Sequence, residues 1–216
     1  MDQIAIGQLG IPSLILMENA GLRCAQEILS RFTRASFTIL CGPGNNGADG
    51  LVIARQLAVL GRAVTVWVSG NPASTSPECS TNWVILKRLN LPNLDWKITQ
   101  NQCGFPVDLG NGSEAVIIDA MLGISARGEP RSPMSDMIQW ANRQSAVRVA
   151  IDVPTGLDPD SGAPSENTFR SDLTLTIERP KMFAANPDAC GFIGELVVIP
   201  LGIPEWVVRA ARDDSK

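Results

Sequence analysis

Short runs of apolar, largely β-branched residues recur along the chain, separated by helix-length stretches and Gly/Pro punctuation. Read as strands, they cover residues 37–41, 63–68, 115–119, 147–152, 173–177 and 196–199, with a weaker candidate at 95–98. Most are apolar nearly throughout and do not alternate cleanly, which is the pattern of parallel strands covered on both faces. Between them, residues 50–60, 78–89 and 134–143 carry helical spacing, and Ile53, Ala54, Leu57 and Ala58 form one apolar stripe. A further helical segment spans about residues 13–31. Strand–helix alternation of this kind predicts an α/β fold: a Rossmann-like, doubly wound, mostly parallel sheet with helices on both faces, in three α/β/α layers. No internal repeat, low-complexity tract or linker divides the sequence, so residues 1–216 are expected to form a single domain.

Composition narrows the chemistry. The chain of 216 residues is 44% hydrophobic and 19% charged, outside the range of intrinsic disorder. Its net charge is −4 and no basic run exceeds Lys87-Arg88, so no nucleic-acid surface is expected. Histidine is absent, which excludes Ser-His-Asp triads, Cys-His dyads and histidine-ligated zinc. Tyrosine is absent too, leaving Asp, Glu, Lys, Cys or water to move protons. Cys24, Cys41, Cys79, Cys103 and Cys190 are scattered without a C-x-x-C pair, the pattern of free thiols in a reducing compartment. The N-terminus has no basic region, Glu18 interrupts the apolar residues 14–17, and no apolar segment approaches membrane-spanning length. A cytoplasmic protein is expected.

Candidate chemistry clusters at predicted strand ends. After the first strand, Gly42, Gly44 and Gly47 satisfy G-x-G-x-x-G between a strand and a helix, where glycines let backbone approach a phosphate and helix-terminal amides attract it. Asn45, Asn46 and Asp49 crowd this turn with side chains able to hydrogen-bond a ligand or bind an ion. Asn-Gly is also a hairpin signal and Asp49 a possible helix cap, but the helical spacing that follows argues against a hairpin. After the second strand, Ser69-Gly70-Asn71 offers no acid for a ribose hydroxyl, unlike a dehydrogenase. Asp119 and Asp152 each close a predicted strand, so two carboxylates and a glycine-rich turn converge on the sheet edge where open α/β folds bind ligands. Asp158-Pro159-Asp160-Ser161-Gly162 reads as turn chemistry without a metal; Lys181, after Arg179-Pro180, is long enough to reach a phosphate but reads first as an exposed loop lysine.

In order, Leu16-Met17-Glu18-Asn19-Ala20-Gly21, residues 42–50, 116–123, 151–156 and 185–204 resemble the landmarks of the YjeF N-terminal domain family over nearly the whole chain. The combination of G-x-G-N-N-G-x-D-G with D-x-P-[ST]-G is specific to it. Enzyme members are NAD(P)H-hydrate epimerases, and the resemblance implies the stand-alone form, related to apolipoprotein A-I-binding protein. It would interconvert the R and S forms of hydrated NADH and NADPH (NADHX and NADPHX) for a separate S-specific dehydratase. It implies substrate binding by Asn45, Asn46, Gly47, Ala48 and Asp49, together with Gly123, Ile124, Ser125, Ala126, Arg127, Gly128 and Glu129. It further implies one potassium ion per subunit held by Asn46, Asp119 and Thr155, with Asp152 as the catalytic residue, itself in contact with the substrate. Oxygen-only ligands suit such a hard cation. Ala48 and Ser125 replace usual glycines, Ala48 adding a methyl in a tight turn, and Thr155 replaces a serine while keeping the hydroxyl.

The same resemblance implies a homodimer; the apolar residues 14–17 would pack on the core or on a second subunit. The chemistry is an elimination and return of water through an iminium, with ring opening as a second route. Two rivals remain on sequence: a non-catalytic scaffold of the same fold, and an NAD-dependent oxidoreductase. Retention of Asn46, Asp119, Asp152 and Thr155 together counts against the first. The missing acid after the second strand, with the missing His and Tyr, counts against the second.

Overall fold

The computed structural model describes residues 2–70, 75–99, 104–106, 109, 112–204 and 206. Asn71 and Cys103 lie outside them. Seven parallel strands form one sheet in the order β3-β2-β1-β4-β5-β6-β7. They are β1 (Ser36–Cys41), β2 (Val64–Ser69), β3 (Leu94–Thr99), β4 (Gly112–Ala120), β5 (Ala146–Ile151), β6 (Leu173–Ile177) and β7 (Glu195–Ile199). The chain winds outward from β1 through β2 to β3, then returns to the other side of β1 for β4. The β1/β4 junction is therefore the switch point at which this topology opens a crevice.

Helices cover both faces. The main ones are α1 (Asp2–Leu9), α2 (Ser13–Arg31), α3 (Asn45–Val59), α4 (Pro77–Leu89) and α5 (Met134–Asn142), with a short α6 (Cys190–Ile193) near the end. On one face Phe37, Ile39, Val116 and Ile118 meet the apolar sides of α2, α3 and α4. On the other face Leu40, Ile117 and Ala150 meet Met137, Ile138 and Ala141 of α5. Successive residues of β1, β4 and β5 thus enter two separate cores, which is why these strands are apolar at most positions. The buried side of α2 recurs every three or four residues: Leu16, Met17, Ala20, Cys24, Ala25 and Ile28.

The start of α3 and several strand boundaries differ from the sequence reading. Helix α3 starts at Asn45, so Asn45, Asn46, Gly47, Ala48 and Asp49 form its first turn and not a loop. Weak intrinsic helix formers are accommodated there because the first turn tolerates polar side chains and tertiary packing overrides propensity. The methyl of Ala48 consequently points into the core and is fully buried, not into the turn. Helix α1 and the short turns at Met182–Ala185 and Pro187–Ala189 were not anticipated from spacing.

Close backbone approach fixes the crevice floor. The Gly42 amide donates to Ala120 O (3.1 Å), and a Cβ on Gly42 would run into the Met121 carbonyl. A Cβ on Gly47 would run into the carbonyl of Gly42 in the same way. Gly42→Ala is therefore expected to cost about 2 kcal/mol or more, as overpacking against rigid backbone does. Urea unfolding of the variant checks this, and an unchanged midpoint would contradict it.

Candidate functional site

The crevice is built by three chain segments at the carboxyl ends of β1, β4 and β5. The first is the β1–α3 turn. Gly44 caps α3 without any side-chain hydrogen bond, so the helix presents its first-turn amides to the crevice. A Cβ at Gly44 would meet nothing within 4 Å, which leaves that side of the turn open for a ligand to approach.

The second and third segments meet at Asp119. This residue is the penultimate residue of β4, inside the strand, and is fully buried. Its Oδ1 accepts from the Met121 amide (3.0 Å) and from Thr155 Oγ1 (2.7 Å), and its Oδ2 from the Thr155 amide (2.7 Å). Thr155 Oγ1 in turn accepts from the Leu122 amide (3.1 Å), while Asn46 Nδ2 donates to Leu122 O (3.0 Å). Asn46, Asp119 and Thr155, expected on sequence to share one ion, are therefore brought together around the backbone of Leu122. All three are buried.

The polar accounting of this cluster is incomplete. Asn46 Oδ1 is buried and accepts no hydrogen bond. Among the described residues no lysine or arginine pairs with Asp119. A carboxylate oxygen, a hydroxyl and an amide oxygen each retain unused lone-pair capacity here. Such a set can hold a hard cation of low charge, and no cluster of three or more His, Cys, Asp or Glu among the described residues suggests a transition metal.

Asp152 lies one residue beyond β5. Its φ is +68°, and Val153 N donates to Ile151 O (2.9 Å), closing the rare, strained form of γ-turn around it. Strain of this kind persists where surrounding structure over-determines it. Here the surroundings are specific: Asp152 N donates to Leu175 O (2.8 Å), and Oδ1 accepts from the Ile177 amide (3.2 Å) and from Lys181 Nζ. Oδ2 accepts no bond from the described residues. Lys181 corrects the sequence reading: its side chain is 15% exposed and ion-paired with Asp152, not a solvated loop lysine. The sequence signal that could have found this arrangement is a repeat. Ile151-Asp152-Val153-Pro154 and Ile177-Glu178-Arg179-Pro180 begin on the last residues of β5 and β6, and Glu178 also has positive φ (+63°).

The remaining expected residues divide. Residues 122–123 and 126–129 line a cleft of about 170 Å³ together with residues 153–158 and 163–165. Ile124 and Ser125 are exposed and do not line it, and Gly128 has φ +80°. Arg127 is spent on its own loop, donating to Ile124 O (2.6 Å) and Ala126 O (2.8 Å) and pairing with Asp160. Glu129 accepts from the amides of Glu166 (3.0 Å) and Asn167 (2.8 Å) and from Asn167 Nδ2 (2.9 Å), so it clamps the neighbouring loop. Asp158 accepts from Asp160 N, Ser161 N and Ser161 Oγ, which is turn chemistry.

A family model described as "YjeF-related protein N-terminus" matches residues 13–183. A protein of Pyrobaculum aerophilum named bifunctional NAD(P)H-hydrate repair enzyme Nnr is 38% identical over 202 residues, covering 91% of this chain and 39% of that protein. A protein of Rhodopirellula baltica named NAD(P)H-hydrate epimerase is 34% identical over 210 residues, covering 97% and 83%. The chain thus spans about two-fifths of the length of the bifunctional relative and most of the epimerase. The crystal structure of a yeast protein superposes with a TM-score of 0.68 at 26% identity, over 85% of this chain and 79% of that one.

The buried carboxylate makes a pH-dependent contribution. Burial pushes Asp119 up to about 6, against the lowering effect of its bonds from Thr155 and Met121. A carboxyl raised in the folded state contributes stability below its ordinary value of 3.8 and loses it as pH rises through 6. In buffers free of potassium and sodium, the stability of the wild type relative to Asp119→Asn should fall by about 3 kcal/mol between pH 3.5 and 7. Urea melts of both proteins measure this, and a flat difference would contradict it.

Proposed function

The chain belongs to the family of YjeF-related protein N-termini, and from that premise we propose that it epimerises the R and S hydrates of NADH and NADPH. The observation that carries the proposal is Asp152. It is a nearly buried carboxylate with one oxygen anchored and the other without a partner among the described residues, three residues before Thr155 at the switch-point edge.

The substrate carries a hydroxyl on the ring carbon next to the nicotinamide nitrogen. Asp152 takes up a proton on its free Oδ2 and gives it to that hydroxyl, which leaves as water while the ring nitrogen's lone pair forms the C=N bond of a planar iminium. Water returns to the opposite face and its proton goes back to Asp152. No oxidant is needed and all atoms balance. The first-turn amides of α3 and the open face of Gly44 would receive the pyrophosphate. Residues 123–129 would close over the dinucleotide, with Arg127 and Glu129 shaping that loop through the bonds described above.

The orphaned Asn46 Oδ1 and the unpaired Asp119 fit a potassium ion held with Thr155 Oγ1. Such an ion supplies positive charge that keeps Asp119 ionised and ties β4 to the segment after β5. The product hydrate would pass to an S-specific dehydratase. Two copies are proposed to associate, with exposed Leu14 and Ile15 on α2 available for contact. The proposed location is the cytoplasm. Among the described residues no helix is long and apolar enough to cross a membrane, and Cys24, Cys41, Cys79 and Cys190 are free.

The test supplies R-NADHX with an S-specific dehydratase and its nucleotide, with and without the protein, and follows NADH recovery against spontaneous epimerisation. Asp152→Asn should slow recovery by about two to four orders of magnitude while dinucleotide affinity changes little. Near-normal epimerisation by that variant would overturn the assignment. Loss of reduced-cofactor absorbance with a carbonyl substrate would favour an oxidoreductase instead.

A further inference from the structure

We infer that Lys181 is the positioning residue of this site, holding Asp152 so that only one carboxylate oxygen faces the reacting ring. The inference rests on the reading of Asp152 as the proton carrier. Three acceptors converge on a single nitrogen: Lys181 Nζ donates to Asp152 Oδ1, to Ile177 O (2.7 Å) and to Thr176 Oγ1 (3.2 Å). An ammonium has three donors, so none is left for a ligand, and Lys181 acts through Asp152.

The acceptors come from different parts of the fold. Ile177 and Thr176 end β6, Asp152 follows β5, and Lys181 reaches back from beyond Pro180. The ammonium therefore rivets the two strand ends and fixes the χ angles of a carboxylate already locked at φ +68°. With the Ile177 amide also on Oδ1, that oxygen is saturated on its inner side, and proton transfer falls to Oδ2. Side-chain exposures of 15% for Lys181 and 12% for Asp152 keep competing water to a minimum. Lysine suits this geometry and arginine does not, because a planar fork cannot converge three bonds on one point.

The test is a double-mutant cycle on epimerisation of R-NADHX, with Asp152→Asn, Lys181→Met and the combined variant. Misplacing a reacting group by about 1 Å costs roughly a hundredfold, so Lys181→Met should lose about that in kcat with KM and NAD affinity nearly unchanged. Added to Asp152→Asn, it should cost almost nothing further, because the residue it positions is already disabled. Full-rate turnover by Lys181→Met, a loss confined to KM, or additive losses in the double variant would each overturn the inference. A normal rate in Asp152→Asn would instead overturn the underlying reading, so the two failures are distinct. If Lys181→Met does not fold, Lys181→Arg decides: it keeps the charge and should lose roughly tenfold in kcat at constant KM. An arginine variant of wild-type rate would refute positioning by converging bonds.

Discussion

A fully buried carboxylate governs this molecule. Asp119 sits inside a central parallel strand, where the cost of burying a charge is offset only by three hydrogen bonds from Met121 and Thr155. Those bonds dictate the path of the segment after β5, because both the amide and the hydroxyl of Thr155 must face β4. Thr155 then orients Leu122, and Leu122 orients Asn46 at the start of α3. One strand-embedded acid thus organises three of the loops that make the crevice. The charge left over at its centre gives the proposed cation a reason to be there.

Sterics at the switch point complete the frame. Gly42 and Gly47 have no room for a side chain because the ends of β1, β4 and α3 come into backbone contact. Gly44, two residues from one and three from the other, has open space where a side chain would point. Glycine at the first two positions serves packing. At Gly44 it leaves access, which is the distinction a G-x-G-x-x-G pattern does not express.

Much of this was legible in the sequence. The apolar runs located six of the seven strands, since strands buried on both faces advertise themselves by their lack of alternation; β3, an exposed edge strand of sequence Leu94-Asp95-Trp96-Lys97-Ile98-Thr99, gave only a weak signal. Asp119 and Asp152 were marked by their place near strand ends, and Thr155 only by the family resemblance. Three features were not legible. The start of α3 was hidden by Asn45-Asn46-Gly47, residues that read as turn; burial of Asn46 and Gly47 holds the turn helical behind an exposed Asn45. Lys181 was dismissed as solvated because its partner lies 29 residues earlier, and only strand order brings β5 and β6 side by side. Glu129, chosen as a ligand residue, is bound to the backbone of residues 166–167, a contact that depends on how two loops fold against each other.

The central claim is that the Asn46–Asp119–Thr155 cluster is a monovalent-cation site around which the crevice is arranged. Anomalous diffraction from crystals soaked in thallium(I), a scatterer that substitutes for potassium, tests it directly. A strong peak is expected between Asn46 Oδ1, Asp119 and Thr155 Oγ1 in the wild type, and none there in Asp119→Asn crystals. A wild-type map without density at that position under saturating thallium would contradict it.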